Sequence, residues 1–430
     1  MPKSKKRAKV QKSGAGLVAS RPPTDDEYDT ADNISTVSAL SDDTGSTPDS
    51  VGDEVDETST QELFEDKLKE YIEGTTQKSA QGRKNCLDEI KKALSKCYLY
   101  DFLMDRKVTL SDSLTRCLRK GKGDEQALAA TCFCLLFTQL GTDVEDIFNE
   151  IRPLMLSLMA DNSVNLKARS KCALALAISS FLACDEIEQV KSVMKALEDV
   201  FRNSYRKGDK SVPTHNPETC HFHSQALQAW CLLLSIAPTF IVNDIVSSHL
   251  VKLPDLLYSK DLDVKISAGE TIAMMYELAR ETNEDFEGDD IDNLCDLLKN
   301  LATDCQKSQA RKERKQQRSS FRDILRTIEE ADVPETCVKF GSEHLILNSW
   351  VRKKQYDTFC QVMGPSINQQ LQFNELLREI FDLGPVIPVG TVKTKLSKHE
   401  RNMYKAAAFK ARTKARSKHR DKRSVTLNGF

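Results

Sequence analysis

No stretch of this 430-residue chain approaches the ~18 uninterrupted apolar residues that a membrane-spanning helix needs. Its basic first residues are not followed by the apolar stretch of ~7–15 residues that marks a secretory signal. The thirteen cysteines form no dense, short framework. Cys132, Cys134, Cys172 and Cys231 fall inside helical apolar patterns instead. That usage predicts reduced, buried thiols in a cytoplasmic protein with a nuclear pool, not disulfides. Enzyme signatures are missing too: there is no P-loop, no G-x-S-x-G, no G-x-G-x-x-G after a strand and no H-E-x-x-H. The seven histidines are scattered without a partnered nucleophile. The expectation is a non-enzymatic protein with no cofactor, no small-molecule substrate and no membrane partner.

What is present is segregated charge. The formal net charge of −2 hides it. Lys3, Lys5, Lys6, Arg7, Lys9 and Lys12 open the chain without an acid among them. From Asp25 to Asp66 there are many carboxylates and no Lys or Arg. From Lys393 to Arg423 the sequence is basic again, interrupted only by Glu400 and Asp421. Segregation of this kind points to a polyanion partner for the basic parts.

Residues 1–60 are rich in Ser, Thr, Asp and Pro and poor in aromatics. They cannot bury enough apolar surface to offset the entropy of ordering, so disorder is expected there. Helical spacing begins near Gln61, with Leu63, Phe64, Leu68, Tyr71 and Ile72. Helical apolar stripes then follow at 85–104, 108–118, 126–140, 144–159, 166–183, 187–205, 219–236, 241–258, 264–280 and 290–301, separated by turn signals.

A register repeats through this block: one residue, two spacers, a small residue, three spacers, a larger apolar residue. Its instances are Arg83–Cys86–Ile90, Ala127–Ala130–Cys134, Arg169–Cys172–Leu176, His223–Ala226–Trp230 and Lys265–Ala268–Ile272. The small positions are 44, 42, 54 and 42 residues apart (86 to 130, 130 to 172, 172 to 226, 226 to 268). Armadillo and HEAT repeats run about 40–47 residues. The long interval holds the polar insertion RKGDKSVPTHNP. The expected fold is all-α: an armadillo/HEAT-like solenoid over 61–306, which would bind partners along its concave face. A small helical unit over 307–390 with a basic entry helix follows, and then a basic helix and tail over 391–430. Short strands are expected only within Val338–Trp350, and helices at Val351–Met363 and Ile367–Leu383.

The strongest functional signal is SKHERNMYKAAAFKARTKARSKHRDKR. Lys410, Lys414 and Lys418 fall one turn apart on one helical face, and Arg412, Arg416 and Arg420 on an adjacent one. With Lys405, Lys422 and Arg423 they are the candidate phosphate contacts, whose binding would weaken steeply with salt. A second basic patch is expected from Arg311, Lys312, Arg314, Lys315 and Arg318. No zinc finger, helix-turn-helix or basic zipper accompanies either run, so RNA is favoured over sequence-specific DNA. Cys220-His221-x-His223 has the look of a ligand cluster, but neighbouring positions on a helix point apart and no second pair completes a tetrahedron. No metal is expected.

The closing RNMYKAAAFKARTKARSKHRDKR resembles the end of the interferon-related developmental regulator family. SLTRCLRKGKGDEQALAA, RKQQRSSFRDILRTIEE, VKFGSEHLILNSWVRKKQYDTF and FDLGP extend the resemblance over nearly the whole chain. It implies an armadillo-like fold and two activities described for the family. One is association with translationally inactive ribosomes, where rRNA in the mRNA or tRNA path would meet the basic helix. The other is transcriptional co-regulation with histone deacetylase complexes.

Overall fold

The computed structural model describes residues 57–303 and 310–386. Helix α1 (Glu57–Gly74) lies against α2 (Ala80–Lys96), and the chain then alternates between two layers. The inner layer is α2, α5 (Asp124–Leu140), α7 (Leu166–Ala183), α9 (Pro217–Leu234), α11 (Leu262–Thr282) and α13 (Arg311–Glu330). Each packs on the next, in that order. Behind them stand α4 (Lys107–Lys120), α6 (Glu145–Ala160), α8 (Ile187–Phe201), α10 (Thr239–His249) and α12 (Ile291–Thr303), with the short α3 (Tyr100–Met104) preceding α4. This is the expected helical solenoid.

The small-residue register is the inner row. Ala130, Cys172, Ala226 and Ala268 are fully buried on α5, α7, α9 and α11, and the residues one turn on, Cys134, Leu176, Trp230 and Ile272, fill the space between helices. Cys86 on α2 is half-buried at the end of the row, against Gly74 of α1. Close approach carries past the last repeat found in the sequence. A methyl group on Gly269 of α11 would meet Ile324 Cδ1 of α13 at 2.7 Å, so any larger residue there would have to displace that side chain.

The six inner helices run parallel. At their N-terminal ends Arg83 forks onto Glu125 (2.6 and 2.9 Å), Lys167 pairs with Asp124 (2.7 Å), the Arg169 guanidinium lies 4.7 Å from the Phe222 ring centroid and Ser224 meets Ser267 (2.9 Å). At their C-terminal ends Gln139 donates to the Leu94 carbonyl (2.9 Å) and Arg280 to those of Thr327 and Ile328 (both 2.7 Å). All N-termini therefore share one edge of the molecule and all C-termini the other.

After α13 come strands β1 (Thr336–Phe340) and β2 (Glu343–Leu347), paired antiparallel with Val338 opposite Leu345. Then α14 (Trp350–Met363), α15 (Ile367–Phe373) and α16 (Glu375–Ile380) turn back along the inner row toward its beginning. Trp350 donates its indole N–H to Thr327 (2.9 Å) and its backbone N–H to Glu277 of α11 (2.7 Å). Lys354 pairs with Glu270 of α11 at 3.2 Å, Gln361 bonds Gln225 of α9, and Phe359 meets Phe181 of α7 edge-on. Gln370 on α15 reaches the carbonyls of Leu94, Ser95 and Cys97 of α2, and Asn374 that of Thr138 on α5. The face of the inner row away from the outer layer is thus occupied by the chain's own C-terminal unit. α5 buries fifteen of its seventeen residues as a result, the condition of a helix with protein on every side. The stretch Asp124–Ala160 is apolar enough by composition to cross a membrane, and 83% of its most apolar window is buried in this core.

Three expected helices are broken, two of them where distant residues intervene. The stripe 85–104 becomes α2 and α3, parted at Cys97–Leu99, where Gln139 accepts from the Leu99 N–H and donates to the Cys97 carbonyl (2.9 and 2.8 Å). The stripe 241–258 ends as α10, and Leu253–Tyr258 tightens to a 3₁₀ turn with Pro254 in its first turn. Ile367–Leu383 divides at Asn374, whose side chain caps α16 through the Leu377 N–H (3.1 Å).

Candidate nucleic-acid interface

Of the expected phosphate contacts, Lys405, Lys410, Arg412, Lys414, Arg416, Lys418, Arg420, Lys422 and Arg423 lie outside the described residues, as do the basic and most of the acidic runs near the start. The second patch lies on α13. Grouped in sequence with the C-terminal unit, α13 packs on α11 and α12 as the last inner helix.

Its orientation is set by an amphipathic second half. Phe321, Ile324 and Ile328 are buried against α11 and α12. Gln317 is buried too and donates to the Leu301 carbonyl of α12 (3.1 Å). This leaves Arg311, Lys312 and Lys315 exposed, at spacings of three and four that place them on one face. Arg314 and Arg318 are half-buried on the next face, with Arg318 Nε donating to the Arg314 carbonyl (3.3 Å). The Arg314 Nε is buried with no partner among the described residues. The first turn has one carboxylate: Glu313 accepts from the Ala310 N–H (3.3 Å), half of a capping box, since an alanine side chain offers nothing in return. Three exposed cations on a fixed helix can take phosphates as point charges, without reading bases.

The Cys220 cluster diverges. His221 is exposed, whereas Cys220 and His223 are buried. Among the described residues no three His, Cys, Asp or Glu side chains are placed to hold a metal ion. His223 Nδ1 instead meets the Ser204 hydroxyl at 2.7 Å, a serine–histidine pair with no local sequence signal. Burial, with the nearby His215 and Arg169, pushes the imidazole down to about 4. A base that weak holds little catalytic power near pH 7, and the serine is 6% exposed. The pair anchors the 3₁₀ turn Arg202–Ser204 to α9. Beside it a cavity of about 640 Å³ opens between α6–α7 and α8–α9, lined by Met159, Arg169, Val200, Asn203 and Phe222 among others.

Sequence reasoning also missed the polar groups that fix the C-terminal unit. Arg378 is 1% exposed and forks onto Glu343 of β2 with two bonds of 3.0 Å. Its remaining donors reach the carbonyls of Leu371, Leu383, Gly384 and Pro385 at 2.8–3.0 Å. Lys354 and Glu270 are nearly as enclosed. Burial alone would drive the ammonium's pKa down, yet the Glu270 carboxylate outweighs it and holds the lysine charged. Their partners are 35 and 84 residues away in sequence, so no local pattern announces them.

The model of the interferon-related developmental regulator family matches residues 33–329, and that of an interferon-related protein conserved region matches 374–424. The chain is 42% identical over 409 residues to interferon-related developmental regulator 1 of Homo sapiens, covering 94% of this chain and 90% of that one. It is 43% identical to the Mus musculus protein of that name over the same coverage, and 43% identical over 383 residues to interferon-related developmental regulator 2 of Mus musculus (87% and 86%). The second family match covers the basic run that lies outside the described residues. With a match over more than half its length and relatives of this identity, the chain belongs to the interferon-related developmental regulator family.

Proposed function

We propose that this chain is a ribosome-binding, non-enzymatic regulator that represses translation, its basic C-terminal segment contacting rRNA. The observation that carries the reading is the placement of the second basic patch. Arg311, Lys312 and Lys315 stand exposed on a helix held rigidly by α11 and α12, so they hold a fixed geometry toward a phosphate surface. An import signal needs no such mounting. The run from Lys393 to Arg423 supplies a second and larger positive charge. A helix of about 25 residues over Ser397–Arg423 would reach about 37 Å at ~1.5 Å per residue, enough to enter an RNA-lined channel. Sedimentation through sucrose gradients tests this: removal of 397–430 should release the protein from ribosomes and relieve translational inhibition. Unchanged co-sedimentation and inhibition would overturn the role given to the segment.

A nuclear co-regulator that bridges protein partners such as histone deacetylase complexes is the second reading, favoured by the solenoid architecture. Because α14–α16 lie over the inner row, a partner approaching the concave side would meet that unit first. Crosslinking with RNA sequencing separates the two readings: rRNA dominates under the first, and nuclease-resistant protein contacts under the second.

A further inference from the structure

The two edges of the inner row carry opposite charge. Chain segments that lead from an outer helix into an inner one all fall on the edge where the inner N-termini gather. They contribute Arg119, Lys120 and Lys122 before α5, Lys207 and Lys210 before α9, and Lys260 before α11, each of them exposed. The exposed cations of α13 stand at the N-terminus of the last inner helix, on this same edge. Segments leaving the inner helices fall on the other edge, and the one after α11 reads Glu284, Asp285, Glu287, Asp289 and Asp290 with no Lys or Arg among them.

Arg119 and Lys120 close the last turn of α4, where the helix dipole favours cations, whereas Lys122, Lys207, Lys210 and Lys260 lie in the loops between helices. Most carboxylates on the basic edge are engaged locally, with Glu218 in the first turn of α9 an exposed exception. Asp124 pairs with Lys84 and Lys167, Asp255 with Arg206, Asp161 accepts from the Ser163 N–H, and Asp261 caps α11 through Val264. Among the described residues, Arg119, Lys120, Lys122, Lys207, Lys210 and Lys260 carry no ion pair. Their charge is open to a partner. The C-terminal unit leaves the edge clear, because α15 and α16 engage α2 and α5 at the opposite ends of those helices, through Gln370, Asn374 and Leu376.

We infer that this edge, from the loop before α5 to the first turn of α13, is a second RNA-binding surface that tracks a phosphate backbone independently of the C-terminal segment. The inference rests on the proposed RNA-binding function and gives it a second contact. Helices packed at ~8–10 Å spread the five N-termini from α5 to α13 over roughly 30–40 Å. The partner is folded RNA, held by charge and shape and not by base identity.

The test uses the full chain and a 20-base-pair RNA duplex, with binding followed by fluorescence anisotropy across a potassium chloride series. Two separate edge variants are compared with wild type, Arg119→Gln/Lys120→Gln/Lys122→Gln and Lys207→Gln/Lys210→Gln. Thermal melts establish that both remain folded. Each lost phosphate contact should lower the slope of log affinity against log salt by about 0.7–0.9. The triple variant should lose affinity about tenfold at physiological salt, and the double variant several-fold. A third variant, Lys410→Gln/Arg412→Gln/Lys414→Gln/Arg416→Gln, should lose affinity by an amount additive with either edge variant. Edge variants that match wild type in affinity and slope would overturn the edge, whatever the tail variant does. A tail variant alone that matches wild type would overturn the role of the C-terminal segment and leave the edge standing. Displacement of the duplex by polyglutamate at equal charge would overturn RNA as the partner.

Discussion

Helices α5 and α13 belong to one row, yet they present opposite surfaces. α5 buries fifteen of seventeen residues, including Glu125, which is held by Arg83. α13 buries five of twenty and turns its cations outward. Part of the difference is position, since α5 has an inner helix on either side and α13 ends the row. The C-terminal unit adds to it by folding back and sealing α5 against Leu376 and Asn374, whereas the first turns of α13 leave Arg311, Lys312 and Lys315 exposed. A solenoid normally offers its concave face to partners; this one fills that face with itself and exposes its loops and its last helix.

The comparison breaks most severely if the seal is lost. Arg378→Ala should leave Glu343 and four backbone carbonyls without their donor and cost about 3–5 kcal/mol, read as a lowered midpoint in urea. Arg378→Lys should recover little, since an ammonium cannot fork onto a carboxylate. Lys354→Met should cost a similar ~3–5 kcal/mol by stranding Glu270, and Lys354→Met/Glu270→Leu should regain most of it.

Acid should act next, inside the sealed core. The His223 pKa falls from its ordinary 6.5 to about 4 on folding. Its contribution is therefore full above about pH 6.5 and is lost as pH falls toward 4, because only the unfolded chain takes up the proton in that window. The loss is of order 3 kcal/mol. Denaturation midpoints measured from pH 7 to pH 4 should show it, and His223→Gln should flatten the profile.

Gln370→Ala should follow, at about 1 kcal/mol, by removing the side-chain donor to the Ser95 carbonyl, while those of Leu94 and Cys97 keep Gln139. A urea midpoint that does not move would show that the Ser95 carbonyl finds another donor. The smallest effect belongs to the open end of the row. Arg311→Gln/Lys312→Gln/Lys315→Gln should change stability by less than about 0.5 kcal/mol while lowering the salt slope of RNA binding by about 2. A large loss of stability there would mean that the cations are structural.

Much of the fold was legible because it is local. The 3.6-residue periodicity announced the helices, and the register at Ala130, Cys172, Ala226 and Ala268 announced their stacking, since a small side chain at a helix crossing is visible without knowing the partner. Short strands were expected within Val338–Trp350, and the hairpin begins two residues earlier, at Thr336. The breaks at Cys97–Leu99 and Asn374 were not legible. Gln139 and Thr138, the partners that stabilise them, sit on a helix some 40 and 236 residues away. For the candidate interface, Arg311, Lys312 and Lys315 were legible as a basic run, but the sequence could not separate them from Arg314 and Arg318, which α13 turns toward its neighbours.

By itself the sequence determined a helical repeat with segregated basic and acidic runs, because propensity, period and composition are properties of contiguous residues. Only the tertiary structure decided that six inner helices run parallel, which gathers loops scattered over 190 positions, from Lys122 to Lys312, onto one edge. It also decided that α14–α16 close the concave face, through Lys354 and Gln370, whose partners lie 84 and 276 residues away. Buried polar groups need partners, and which partner each one finds is settled when the layers meet.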